Sequence, residues 1–82
     1  MKTQSDEKQK IRIQNGTSGS LTVVVEPSAN EYALAPGTHI ELAEEGGRPG
    51  NVLEVEVRDR SVAVYGRPGA KITVHRDGVE LP

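Results

Sequence analysis

A chain of 82 residues, 34% of them hydrophobic, has room for one domain that buries roughly 60% of its unfolded surface. Ten Lys plus Arg against twelve Asp plus Glu leave a net charge of -2, which argues against nucleic acid or an anionic membrane as a partner held by bulk charge. The absence of cysteine removes disulfides, thiolate zinc sites and a cysteine nucleophile, and the absence of Phe and Trp leaves an aliphatic core led by ten valines.

The first residues, Met1 to Gln9, contain nothing apolar after Met1 and read as a solvated, disordered arm ahead of a single all-β domain over 10–82. Strictly apolar runs such as Val23-Val24-Val25 are only a few residues long, far short of the ~20 residues a spanning helix needs, so the expectation is a soluble, cytoplasmic protein. Beyond Lys10, glycine and proline cut the chain into pieces too short for helices, and within the pieces apolar and polar residues alternate. Period two predicts eight strands: Lys10 to Gln14, Ser20 to Glu26, Glu31 to Leu34, Thr38 to Ala43, Val52 to Arg58, Ser61 to Tyr65, Lys71 to Arg76 and Val79 to Leu81.

In the first half, Asn15-Gly16-Thr17-Ser18-Gly19 and Ala35-Pro36-Gly37 read as hairpin loops, the second with the Pro-Gly order of a type II turn. That second hairpin would set Tyr32 opposite Ile40 but also Glu31 opposite Glu41, a like-charge pair that requires the strands to splay or bulge. Asn15-Gly16-Thr17 also fits a glycosylation sequon, although the same residues suit a turn. Val24 alternates away from Val23 and Val25, and marks its strand either as a pairing edge and partner surface or as a central strand covered on both faces.

The second half specifies a register. A two-residue turn at Asp59-Arg60 sets Val57 against Val62 and Val55 against Val64. A five-residue loop, Gly66 to Ala70, would set Val64 against Ile72, Val62 against Val74 and Ser61 against His75. Asp77-Gly78 suits a type I′ turn and pairs His75 with Glu80 and Val74 with Leu81. A four-stranded meander results, and the whole is predicted to be a small antiparallel β-sandwich or partly closed barrel of seven or eight short strands. Its core would comprise Ile11, Ile13, Leu21, Val23, Val25, Tyr32, Leu34, Ile40, Leu42, Leu53, Val55, Val57, Val62, Val64, Ile72 and Val74. An unpaired edge of such a sheet is a template for a second strand, so dimerisation through an edge is part of the expectation.

Sites of chemistry are sparse. His39 and His75 lack metal-ligand spacing, so neither a metal nor a cofactor is expected. The meander would place His75 beside Ser61 and Glu80, near Arg58, on a flat solvated face without a pocket or oxyanion donors, which favours plain surface pairing over catalysis. Glu54 and Glu56 share a face roughly 7 Å apart, a separation of the order that glycosidase carboxyl pairs use, yet alternate glutamates are also the ordinary way to wet a strand. Tyr65 would lie between Glu54 and Lys71, and Arg48 and Arg67 occupy two Gly-Arg-Pro-Gly segments nineteen residues apart, where an anion would find guanidinium and backbone donors. Charge is uneven, net -4 over residues 1–57 and +2 over 58–82 with Arg58, Arg67, Lys71 and Arg76 in the positive part, so an acidic protein partner would be steered there. Two tyrosines are too few for the stacking platforms of nucleic-acid-binding barrels.

The segments Val25-Glu26-Pro27, Glu31 to Gly37, Val64 to Gly69 and Val74 to Gly78 resemble, across about two thirds of the chain, a group of small uncharacterised bacterial all-β proteins. The resemblance implies a small all-β domain without a known catalytic residue. The functional expectation is a non-enzymatic interaction or accessory module that binds another protein through a sheet edge or the polar meander face, with Val24, Arg58, Tyr65, Arg67, Lys71, His75 and Arg76 as candidate contacts. The alternative is a saccharide- or anion-binding module at Tyr65, Arg67 and Lys71; a small enzyme ranks third.

Overall fold

The computed structural model describes residues 8–82, which form eight strands and, among the described residues, no helix. The strands are β1 (Lys8–Gln14), β2 (Leu21–Glu26), β3 (Asn30–Leu34), β4 (His39–Glu45), β5 (Glu54–Val57), β6 (Ser61–Tyr65), β7 (Lys71–Arg76) and β8 (Val79–Glu80). Every expected strand is present. Of the arm expected over residues 1–9, residues 1–7 lie outside the described ones, whereas Lys8 and Gln9 belong to β1, opposite Glu45 and Glu44.

Two four-stranded sheets, ordered β1-β4-β7-β8 and β3-β2-β6-β5, are not closed into a barrel. They bury their apolar faces against one another. Ile40, Leu42 and Val74 of the first sheet and Val23, Val25, Leu34, Val62 and Val64 of the second form one buried cluster, flanked by Ile11, Ile13, Leu21, Tyr32, Leu53, Ile72 and Leu81. All fit the expected parity. Val55 and Val57 keep that parity but not their expected place in the core: they remain 45% and 77% exposed, because β5 is an edge strand that the other sheet does not cover.

Three hairpins form. The β5–β6 register is the expected one, with Val57 opposite Val62 and Val55 opposite Val64. The β7–β8 turn has Asp77 and Gly78 both at positive φ, 52° and 82°, as a type I′ turn requires, and Leu81 N donates to Val74 O beyond it. The third hairpin joins β2 to β3. The other expected hairpins are replaced by crossings between the sheets. β1 pairs with β4 rather than β2, and β3 pairs with β2 rather than β4, so Glu31 and Glu41 end in different sheets and their repulsion never arises. Likewise β6 does not pair with β7. Its second neighbour is β2, in parallel, with Val23 opposite Val62 and Val25 opposite Val64, while β7 lies against β4. The meander therefore breaks at Gly66 to Ala70, because alternation fixes which face a valine shares without fixing which strand lies beside it. Val24, half-buried between Glu31 and Ala63, lies on an interior strand; the pairing-edge reading of that residue is thereby overturned.

Asn15 shows how one crossing is held. It is fully buried at the exit of β1, where its side-chain amide donates to Gly19 O (2.8 Å) and Leu34 O (2.9 Å) while its Oδ1 accepts from the Thr17 amide and hydroxyl. Its backbone N–H donates to Thr38 O and its carbonyl accepts from Gly37 N, so one residue joins the β1–β2 and β3–β4 connections. The sequon reading does not fit this fold, since the amide is enclosed with both hydrogens donated inside and leaves no room for a glycan. Asn15→Ala leaves Leu34 O and Gly19 O without that donor, and a loss of about 2–4 kcal/mol is expected in chemical denaturation.

Candidate functional site

Alternation along β4 places Ile40, Leu42 and Glu44 on one face, so a carboxylate follows two core residues inward. Glu44 is 2% exposed. Its answer comes from the β6–β7 crossing: Arg67 donates its backbone N–H to Oε2 at 2.7 Å and its Nε to Oε1 at 3.0 Å. The bidentate, largely dry geometry makes this a strong charge-assisted pair. Gly47 leaves room for it, since a Cβ there would stand 2.5 Å from Arg67 Nε. Arg48 N also donates to Pro68 O, so the two Gly-Arg-Pro-Gly segments pack against each other. Arg67, expected to offer its charge to an anion, is thus spent on Glu44, a residue that sequence reasoning did not single out. The missed signal was its parity with Ile40 and Leu42. Glu44→Ala strands the Arg67 guanidinium, and a destabilisation of about 3–5 kcal/mol is expected in thermal or denaturant melts.

A second cluster lies on the outer face of the other sheet. β5 and β6 set Glu56 beside Tyr65, and Arg58 folds back along the strand. Arg58 Nη2 donates to Glu56 Oε1 (3.0 Å) and to the Tyr65 hydroxyl oxygen (3.1 Å), while that hydroxyl donates to Glu56 Oε1 (3.2 Å). The hydrogen bond from Arg58 holds the Glu56 carboxyl below the usual carboxylate range, and Glu56 in turn raises Arg58. Partial desolvation and then the Glu56 hydrogen bond push the Tyr65 phenol above its ordinary value. On the first sheet Arg12 lowers Glu41 in the same manner, at 2.9 Å. For both carboxylates the lowered value makes their contribution present above the ordinary carboxylate pKa and lost as pH falls through the lowered one. The arrangement fixes the three side chains against one another on the outer face.

The remaining candidates disperse. Ser61 is in the sheet opposite to His75, so the Ser-His-Glu grouping does not assemble; His75 stands between Glu41 and Glu80, its Nε2 2.9 Å from Thr73 Oγ1. Lys71 faces Glu45 on β4, away from Tyr65, and Arg76 lines a shallow depression with His39 and Asp77. Tyr65 and Arg67 do border one open groove, of about 540 Å³, between the β2–β3 turn and the β6–β7 crossing, with Val25, Pro27, Pro68 and Ile72 supplying mostly apolar walls. No group of three or more His, Cys, Asp or Glu side chains suited to a metal ion occurs among the described residues. No helix there is long and apolar enough to cross a membrane.

No protein-family model, curated protein or solved structure matches this chain. Its chemistry rests on its own geometry. Glu56→Gln removes the negative charge that strengthens the hydrogen bond to the protonated phenol and opposes its ionisation, so spectrophotometric titration is expected to show the Tyr65 midpoint moving down towards the ordinary tyrosine value.

Proposed function

We propose that this chain is a non-catalytic interaction module whose contact surface is the free edge of β5 with the adjoining outer face of its sheet. The observation that carries this reading is the pair Val55 and Val57. They lie on the core side of the sheet, yet 45% and 77% of their surface meets solvent, beside a strand whose second neighbour is missing among the described residues. Apolar surface of this kind next to unpaired backbone donors and acceptors is where a further strand adds.

Charge on the outer face gives the contact its selectivity. Glu54, Glu56 and Arg58 alternate with the valines, so an added strand meets apolar groups on one side and fixed charges on the other. The dispersal of His75, Ser61 and Lys71 supports the non-catalytic part of the reading. A second reading, a small-ligand module, is favoured by the groove beneath Tyr65; with Arg67 held by Glu44, its apolar walls suit a neutral ligand better than an anion. Amide shifts clustered at Gly66 to Ile72 on titration with small sugars or apolar compounds would favour that alternative.

Val57→Lys places a charge on the exposed strand without disturbing a packed residue. Proteins retained from a lysate by the immobilised chain are expected to be lost at least tenfold with Val57→Lys and kept with Val79→Lys, which alters an equally solvated valine on β8. Equal retention by both variants would contradict the edge as contact surface.

A further inference from the structure

Each sheet has two edges, and three of the four are protected. β1 carries Lys8, Lys10 and Arg12, all exposed, and charge on an edge discourages pairing. β8 is two residues long, and on β3 the core-side Leu34 is buried and Tyr32 half-buried, with the Tyr32 hydroxyl donating to Pro82 O. β5 also bears charge, Glu54 and Glu56 on its outer face, yet it is longer than β8 and, unlike β1 and β3, leaves its core-side apolar residues exposed, Val55 at 45% and Val57 at 77%.

The hairpin geometry fixes which of its backbone groups are free. Arg58 N donates to Ser61 O, so Arg58 and Ser61 form a hydrogen-bonded pair next to the turn. Antiparallel pairs alternate, which directs the N–H and C=O of Glu56 and Glu54 towards β6 and those of Val57 and Val55 outwards. The free donors and acceptors therefore belong to the two exposed valines.

We infer that a second copy of this chain closes the β5 edge, antiparallel, about a twofold axis through Glu56, giving a continuous eight-stranded sheet. This rests on the reading of β5 as the contact surface and names its occupant. The argument is self-complementarity. With the axis at Glu56, Val55 of one copy faces Val57 of the other and the two exchange both backbone hydrogen bonds; the symmetric pair does the same, so all free groups of both valines are satisfied. On the outer face each Glu54 meets the Arg58 of the second copy. The two Glu56 carboxylates meet on the axis, each already accepting from its own Arg58 at 3.0 Å. Neighbouring registers are worse. An axis at Val55 opposes Glu54 to Glu56 twice, and an axis at Val57, although it brings Glu56 against Arg58 twice, leaves the free backbone of Val55 opposite Asp59 of the turn. Backbone pairing of both valines within the strands and the charge pattern together thus favour one register with its own copy, and the valines gain the cover they lack. The contact is small, so the dimer is a weak and concentration-dependent one.

The chain contains no cysteine, so a single introduced thiol reports the contact cleanly. Glu56 faces itself across a non-hydrogen-bonded pair, where Cα atoms are about 4.5 Å apart and a disulfide fits. Sedimentation of the full chain up to about 1 mM is expected to pass from monomer to dimer, with Val57→Lys weakening the association at least tenfold. Under mild oxidation Glu56→Cys should crosslink at least tenfold faster than Val79→Cys. Arg58→Glu should weaken the dimer, and combining it with Glu54→Arg should restore it. A monomer throughout the range, or a dimer whose crosslinking is no faster at position 56 than at 79, overturns the inference. If the chain stays monomeric while Val57→Lys still abolishes lysate capture, the self-pairing fails and the β5 contact surface stands; if Val57→Lys changes neither, both fail.

Discussion

A carboxylate on the core face of β4 sets a condition that the rest of the chain has to meet. Glu44 follows Ile40 and Leu42 inward, and a lone buried charge costs several kcal/mol unless it is paired and hydrogen-bonded. Arg67 meets that condition from a loop distant in sequence, using its backbone amide as well as its guanidinium. To do so the chain leaves β6 after Tyr65 and passes to the other sheet, so β7 pairs with β4 instead of returning along β6. That detour frees the flank of β6 for β2, and the parallel β2–β6 pair becomes the centre of the second sheet. The edge left over at the far side is β5.

The interior strands carry this arrangement in their composition. β2 and β6 each hold three consecutive uncharged residues about their centre, Val23-Val24-Val25 and Val62-Ala63-Val64, and Ala63 is fully buried between Val24 and Glu56 on the outer face. Strands covered on both sides read as unbroken apolar runs, while β5, with a glutamate at every second position, has the alternation of a strand wetted on one face. The proposed function draws on that difference. The covered strands hold the fold, and the alternating edge strand presents valines on one side, charges on the other and free backbone between them.

Much of this was legible in the sequence. Alternation located all eight strands, and turn chemistry fixed the β5–β6 and β7–β8 registers residue by residue, because two-residue turns leave only one pairing. Longer loops carried no such information. Asn15 to Ser20 and Gly66 to Ala70 can close a hairpin or cross between sheets, and the choice lay in Asn15 hydrogen-bonding to Leu34 and Arg67 to Glu44, contacts between residues far apart in sequence. The like-charge conflict of Glu31 with Glu41 was the one local sign that a hairpin would not close. For the candidate site, the β5–β6 register was legible, but Tyr65 was expected between Glu54 and Lys71 and Arg58 near His75, not both on Glu56; that cluster, the commitment of Arg67 and the dispersal of His75 and Lys71 depended on side-chain reach and sheet order, which parity alone does not contain.

The central claim is that β5 is a half-paired strand awaiting a neighbour, and backbone amide exchange reads it residue by residue. In dilute solution the amides of Glu54 and Glu56, turned towards β6, should exchange slowly, and those of Val55 and Val57 should exchange close to the rate of an unstructured chain. Raising the protein concentration should slow Val55 and Val57 selectively. Valine amides already as protected as that of Glu56 in dilute solution, or unchanged by concentration while other edge amides slow, would contradict the account.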